Sequence, residues 1–261
     1  MIIVISPAKT LDFEKINNTI PITEPKFLCE ARELVNELKE CESFILGKLM
    51  KISPKLAKLT YERFQWWSES LDSARQCIIS FSGDVYKGID VGSYTMEDFF
   101  YANDNLRILS GLYGVLRPFD GINLFRLEMG IKFSFNKYKN LYEYWGNKLI
   151  NDIVQDVNKN KNKILINLAS YEYFKTIENI KELNDIKVVT PIFKEYKNGE
   201  YKIISIMAKR ARGLMTSYII KNKVETIDEL KKFNCEGYKF NEELSKDLDL
   251  IFTREKNYSD L

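Results

Sequence analysis

With 261 residues, 45% hydrophobic and 13% aromatic content, the chain can bury a sizeable core, while a net charge of only +2 excludes a uniformly basic nucleic-acid binder. It contains no histidine, which excludes serine and cysteine protease triads, H-E-x-x-H zinc sites, Glu-x-x-His di-iron ligation and histidine-based deaminase zinc. Cys29, Cys41, Cys77 and Cys235 are dispersed without a C-x-x-C pair and read as reduced thiols, so neither a metal nor a cofactor is expected. No apolar run approaches the ~18 residues of a membrane span, and the opening residues lack a cationic region ahead of an apolar stretch. The expectation is therefore no membrane partner and a cytoplasmic location.

In chain order, residues 2–5 read as a short buried strand and 6–25 as turn-rich loop. Phe27, Ala31, Leu34, Val35 and Leu38 recur at helical spacing. Ser53-Pro54 supplies an N-cap with proline at the first helical position, ahead of a helix carrying Leu56, Leu59 and Trp66-Trp67. Residues 77–81 predict a further buried strand, followed by a glycine-punctuated loop at Gly83, Gly88 and Gly92. Thr95-Met96-Glu97-Asp98 resembles a capping box. Residues 106–109 fit a strand or the last turn of a helix. Residues 141–157 fit a helix, and 158–163 an exposed loop or linker. A strand at 164–168, a cap at Ser170 and a strand at 188–189 follow. Residues 192–196 and 201–206 flank Asn198-Gly199, the preferred type I′ hairpin turn. Alternating strands and helices without an internal repeat predict a mixed α/β class.

Charge is sorted by segment. From 200 to 223 there are six bases (Lys202, Lys209, Arg210, Arg212, Lys221, Lys223) against the single acid Glu200, and from 224 to 261 ten acids against six bases. Such asymmetry fits a surface facing a polyanion, and equally a solvated helix face. Ser6-Pro7-Ala8-Lys9-Thr10 follows the first strand, where α/β sheets bind ligands. It spells S-x-x-K, but neither S-D-N nor K-T-G follows, and the glycines of a P-loop are absent. Lys9 is then an anion contact or a solvated loop lysine. In the segment 81–90, Asp84 and Asp90 can accept hydrogen bonds or pair with cations, and the glycines either admit a ligand or simply turn the chain. Residues 109–118, with Gly111 and Gly114, are similar to the glycine hairpin of helix-hairpin-helix modules, although these glycines are three apart instead of two; a tight packing turn is the alternative. Arg126 and Lys132 add cations in an apolar context.

These segments together resemble the YaaA peroxide-stress protein family. The resemblance rests on Ile3-Val4-Ile5-Ser6-Pro7-Ala8-Lys9-Thr10-Leu11, Gly83-Asp84-Val85-Tyr86 and Arg107-Ile108-Leu109-Ser110-Gly111-Leu112-Tyr113-Gly114. It continues through Leu116-Arg117-Pro118, Arg126-Leu127-Glu128-Met129-Gly130, Tyr144-Trp145-Gly146 and Ile166-Asn167-Leu168-Ala169-Ser170 to Ala208-Lys209-Arg210-Ala211-Arg212-Gly213 and Phe252-Thr253-Arg254. It implies one α/β domain over 1–261, a mixed sheet with surrounding helices, a basic cleft and a helix-hairpin-helix-like element. It also implies double-stranded or distorted DNA as partner and a role in limiting peroxide and iron damage. On this reading the cleft is lined by Lys9, Arg117, Arg126, Lys132, Lys209, Arg210, Arg212 and Arg254, beside a candidate pocket of Ser6, Thr10, Asp84, Tyr86, Gly111 and Gly114. The alternative is an enzyme acting on a nucleotide, nucleobase or other phosphate-bearing small molecule, with Asp84 or Tyr86 as acid or base beside Lys9. Convergence of those groups in a narrow pocket, as against cations along an open groove, separates the two.

Overall fold

The apolar run at the start becomes the centre of the molecule. The structure, a computed structural model, describes residues 1–14 and 19–255. Its strands are β1 (Ile2–Ile5), β2 (Thr10–Leu11), β3 (Arg75–Gln76), β4 (Phe81–Ser82), β5 (Leu106–Ser110), β6 (Gly114–Leu116), β7 (Gly121–Ile122), β8 (Ile164–Leu168), β9 (Lys187–Lys197), β10 (Glu200–Lys202), β11 (Lys239–Phe240) and β12 (Asp249–Arg254). Its helices are α1 (Leu28–Lys39), α2 (Ser43–Met50), α3 (Pro54–Trp66), α4 (Cys77–Ser80), α5 (Asp84–Ile89), α6 (Met96–Asn105), α7 (Leu141–Asn158), α8 (Tyr171–Phe174), α9 (Ser205–Asn222) and α10 (Ile227–Leu230).

The main sheet runs β11-β12-β9-β8-β1-β5-β6, with β10 paired to β9. The five strands from β12 to β5 are parallel to their neighbours, while β6, β10 and β11 join antiparallel. A strand covered on both faces is predominantly apolar, and β1, β5 and β8 are buried along their whole lengths, with Arg107 and Ser110 in β5 and Asn167 in β8 the polar exceptions. The mixed α/β class expected from the sequence is the class observed.

Two helices, α5 and α9, meet each other through glycine. A Cβ on Gly213 of α9 would lie 1.9 Å from the Val85 carbonyl oxygen, and one on Gly88 of α5 would lie 2.3 Å from the Arg210 carbonyl oxygen. The helices therefore touch backbone to backbone. Helix α9 starts beside the carboxyl end of β9 and runs back across the sheet, enclosed on most of its circumference.

Four local expectations are corrected. Residues 77–81 form a helical turn and a two-residue strand, because the Cys77 and Ile78 amides are taken by the carbonyls of Asp120 and Pro118 and Ser80 bonds back to Gln76. Residues 188–189 and 192–196 belong to one strand, β9, which passes through Pro191; the pairing of β9 with β8 ends at Val189, so no ladder bond to β8 is lost at the proline. The Asn198-Gly199 hairpin is present, but its second strand ends at Lys202 and α9 begins at Ser205. The segment 109–118 joins strands and not helices, since Ser110 pairs with Gly114 and Ile108 with Leu116. Gly111 and Gly114 serve packing there. A Cβ on Gly111 would lie 2.3 Å from the Leu127 carbonyl oxygen, and Gly114 has φ of +68° with Trp145 against it.

A pair of helices joined by a tight turn occurs instead at α2 and α3. Lys51 takes a left-handed conformation (φ 54°, ψ 49°) and returns its amide to the Gly47 carbonyl. Ser53 then caps α3 by accepting the Leu56 amide, with Pro54 at the first helical position. The site of a Cβ on Gly47 is 3.2 Å from the Ala57 Cβ, so the helices approach closely at the turn.

Candidate functional site

Parallel strands bring the loops after β1, β5 and β8 to one edge, called here the carboxyl edge. Ser6 and Ser170 meet there: the Ser6 hydroxyl donates to Ser170 Oγ at 3.1 Å and accepts the Ser170 amide at 2.8 Å. The Tyr86 hydroxyl donates to the Ser6 carbonyl at 3.2 Å. Burial pushes this phenol well above its ordinary range, so it stays protonated at neutral pH.

Glu128 organises the neighbouring charges. Its Oε1 accepts from Arg126 Nη2 at 2.7 Å and lies 3.3 Å from Lys9 Nζ, while its Oε2 is buried without a hydrogen-bond partner. Arg126 Nε is likewise buried and unpartnered. Tyr173 stands nearby, and burial with Glu172 and Glu128 alongside raises its phenol. From α3, Arg63 reaches the same region. Burial, and then the charge of Arg126, lower its pKa, and no carboxylate or other partner contacts it among the described residues. An unpaired guanidinium next to a second one is costly unless an anion joins them.

The remaining expected residues divide. Lys209 and Lys132 are exposed. Arg212 on α9 is largely enclosed, which lowers its pKa, and it too lacks a partner among the described residues. Arg210 is already taken, its Nε 2.8 Å from Glu236. Arg254 is 4% exposed and held by Glu195 through Nε and Nη2, both at 2.9 Å, over the Tyr238 ring. It belongs to the core and is closed to a phosphate. Asp84 opens α5 and lies 3.9 Å from Lys87, and Thr10 sits exposed in β2. Arg117 is at the opposite, amino edge, because the β5–β6 turn carries the chain back along the sheet and sets Leu116 beside Ile108. The eight cations therefore do not line one cleft.

Sequence reasoning missed the α2–α3 pair. Residues 43–66 carry Lys48, Lys51, Lys55, Lys58 and Arg63 against the single acid Glu62. All four lysines are exposed, and none has an ion-pair partner among the described residues. Lys55 and Lys58, three apart, share one face of α3, while Lys48 and Lys51 lie on α2 and in the turn, so the readable sign was the run of unopposed lysines on both sides of Ser53-Pro54.

Comparison with known proteins now bears on this arrangement. A family described as "Peroxide stress protein YaaA" matches residues 1–244. The chain belongs to the YaaA peroxide-stress family. A UPF0246 protein of Clostridium beijerinckii is 69% identical over 255 residues, covering 98% of each chain. One from Clostridium botulinum is 61% identical over 256 residues, covering 98% of this chain and 100% of the relative, and one from Saccharophagus degradans is 47% identical over 258 residues with the same coverage. Among the described residues no three His, Cys, Asp or Glu side chains converge to hold a metal ion, and no helix is long and apolar enough to cross a membrane.

Proposed function

We propose that this peroxide-stress family member acts on DNA, holding the phosphate backbone through the α2–α3 hairpin and the cations of the carboxyl edge. The observation that carries the reading is that the cations of one helical hairpin, Lys48, Lys51, Lys55, Lys58 and Arg63, have no carboxylate partners among the described residues. The hairpin has the form of a phosphate grip. At the start of α3 Pro54 has no amide hydrogen and Ser53 takes the Leu56 amide, which leaves the Lys55 amide without an intrahelical acceptor, flanked in sequence by the Lys51 and Lys55 side chains. Arg63 continues the line to Arg126 and Lys9. Phosphate contacts position a protein without reading bases, so binding is indifferent to sequence. Lys55→Gln with Arg63→Gln should weaken binding to unrelated duplexes alike, by about tenfold or more at 0.1 M salt, measured by fluorescence anisotropy. Undiminished binding would refute the reading.

The second reading, an enzyme for a phosphate-bearing small molecule, is favoured by one observation: the buried, unpartnered Oε2 of Glu128 beside Lys9 and Arg126. In that case Glu128, and not Asp84 or Tyr86, is the group placed to take a proton. Glu128→Gln would then abolish turnover of such a substrate.

A further inference from the structure

The amino edge of the sheet, remote from the residues assigned above, contains two adjoining cavities of about 290 and 240 Å³. Arg107 and Arg117 line both. The two arginines differ in how they are occupied. Arg107 is 3% exposed, and its guanidinium is spent on Asp156 at 2.7 Å and on the carbonyls of Asn103, Asp104 and Leu106 between 2.7 and 3.1 Å. Arg117 is 43% exposed, and its nearest acceptor is Asp156 at 3.7 Å, beyond hydrogen-bond distance. No other partner of its side chain exists among the described residues.

The acids around it are already engaged. Asp120 accepts the Thr23 hydroxyl at 2.7 Å and the Arg117 main-chain amide at 2.8 Å. Asp152 is paired with Lys26, and Asp156 with Arg107 and Lys159. The network thus fixes the Arg117 backbone on Asp120 and leaves the planar fork of its side chain open to the cavities. Such a fork fits two oxygens of one oxyanion. Each carboxylate oxygen can accept a second bond, so across the larger cavity Asp120 and Asp152 still offer acceptors to a hydroxyl or ammonium group.

We propose that this cavity is a binding site for a small oxyanion-bearing metabolite, a carboxylate or a phosphate held bidentately by Arg117, with a hydroxyl or ammonium group turned to Asp120 or Asp152. A volume of about 290 Å³ lies at the small end of ligand sites and admits a molecule of metabolite size, not a polymer. The site is separate from the DNA contacts, and neither reading depends on the other.

The test is calorimetry and ligand-observed NMR on the full chain, with inorganic phosphate in one arm and L-serine, which carries a carboxylate, a hydroxyl and an ammonium group, in the other. One arm should show saturable binding with one molecule per chain, identifying which oxyanion the site takes. Arg117→Gln should abolish it and Arg117→Lys should weaken it at least about tenfold, because lysine keeps the charge and loses the fork. The thermal midpoint of Arg117→Lys serves as the control for folding. Absence of binding in both arms up to 10 mM, or binding undiminished in either Arg117 variant, would overturn the proposal.

Discussion

Asp120 is the carboxylate whose surroundings should be readable in a stability curve. It is 3% exposed and accepts only two hydrogen bonds, so burial raises its pKa from 3.8 to about 6, against the opposing pull of those bonds and of Arg117 and Arg107. A raised carboxyl pKa means that the folded state binds the proton more tightly than the unfolded chain. Asp120 therefore favours folding least at high pH, and its contribution falls as pH rises from about 4 to about 6. The shift of roughly two units corresponds to about 3 kcal/mol in full, of which about 2 kcal/mol falls between pH 4.5 and 7.5. Asp120→Asn cannot ionise. Its lost hydrogen bond is a constant offset, and the opposite contributions of Asp98 and Asp156, whose pKa values are lowered, cancel when the two proteins are compared. Urea unfolding at pH 4.5, 6.0 and 7.5 should show the wild type losing about 2 kcal/mol relative to Asp120→Asn across the range, or ~4–8 °C in thermal midpoint. Parallel stability curves, or a wild type that gains on the variant as pH rises, would refute the reasoning.

Gly213→Ala should cost more than about 3 kcal/mol in urea unfolding, because its Cβ meets a backbone oxygen at 1.9 Å, whereas Gly199→Ala, with φ of +85° and open space around it, should cost only about 1 kcal/mol. Arg254→Gln should destabilise by about 3–5 kcal/mol by leaving Glu195 buried and unpaired, with duplex affinity of the folded fraction unchanged by anisotropy. Burial raises the thiol pKa of Cys41, Cys77 and Cys235, so mass spectrometry after brief hydrogen peroxide or iodoacetamide exposure at pH 7 should find exposed Cys29 modified first.

Where local signals decide structure, the sequence was legible. The apolar segments of β1 and β8, the Ser53-Pro54 start of α3 and the Thr95–Asp98 capping box all form as written, the last with both reciprocal bonds. Residues 77–81 misled because a buried helical turn and a buried strand share the same short, mostly apolar pattern. Gly111 and Gly114 misled because glycine reports close approach without saying what approaches; here it is Leu127 and Trp145. The carboxyl-edge loop at Ser6 and Lys9 could be placed from the first strand alone. The fate of the arginines could not, since whether one is free depends on distant acids: Glu195 lies 59 positions from Arg254, and Glu236 lies 26 from Arg210. Arg117 joined the wrong group because its position follows from the direction of β6, which a turn of uncertain type leaves open in sequence.

The central claim is that the α2–α3 hairpin neutralises DNA phosphates. Its most direct test is the slope of log affinity against log salt for a short duplex, compared between the wild type and Lys51→Gln/Lys55→Gln/Lys58→Gln. These side chains are exposed and unpaired among the described residues, so the variant should keep its thermal midpoint within a few degrees. Each phosphate contact contributes about 0.9 to the slope, so the variant should bind more weakly with a slope shallower by up to ~2.7. Equal slopes and equal affinities for the two proteins would contradict the account.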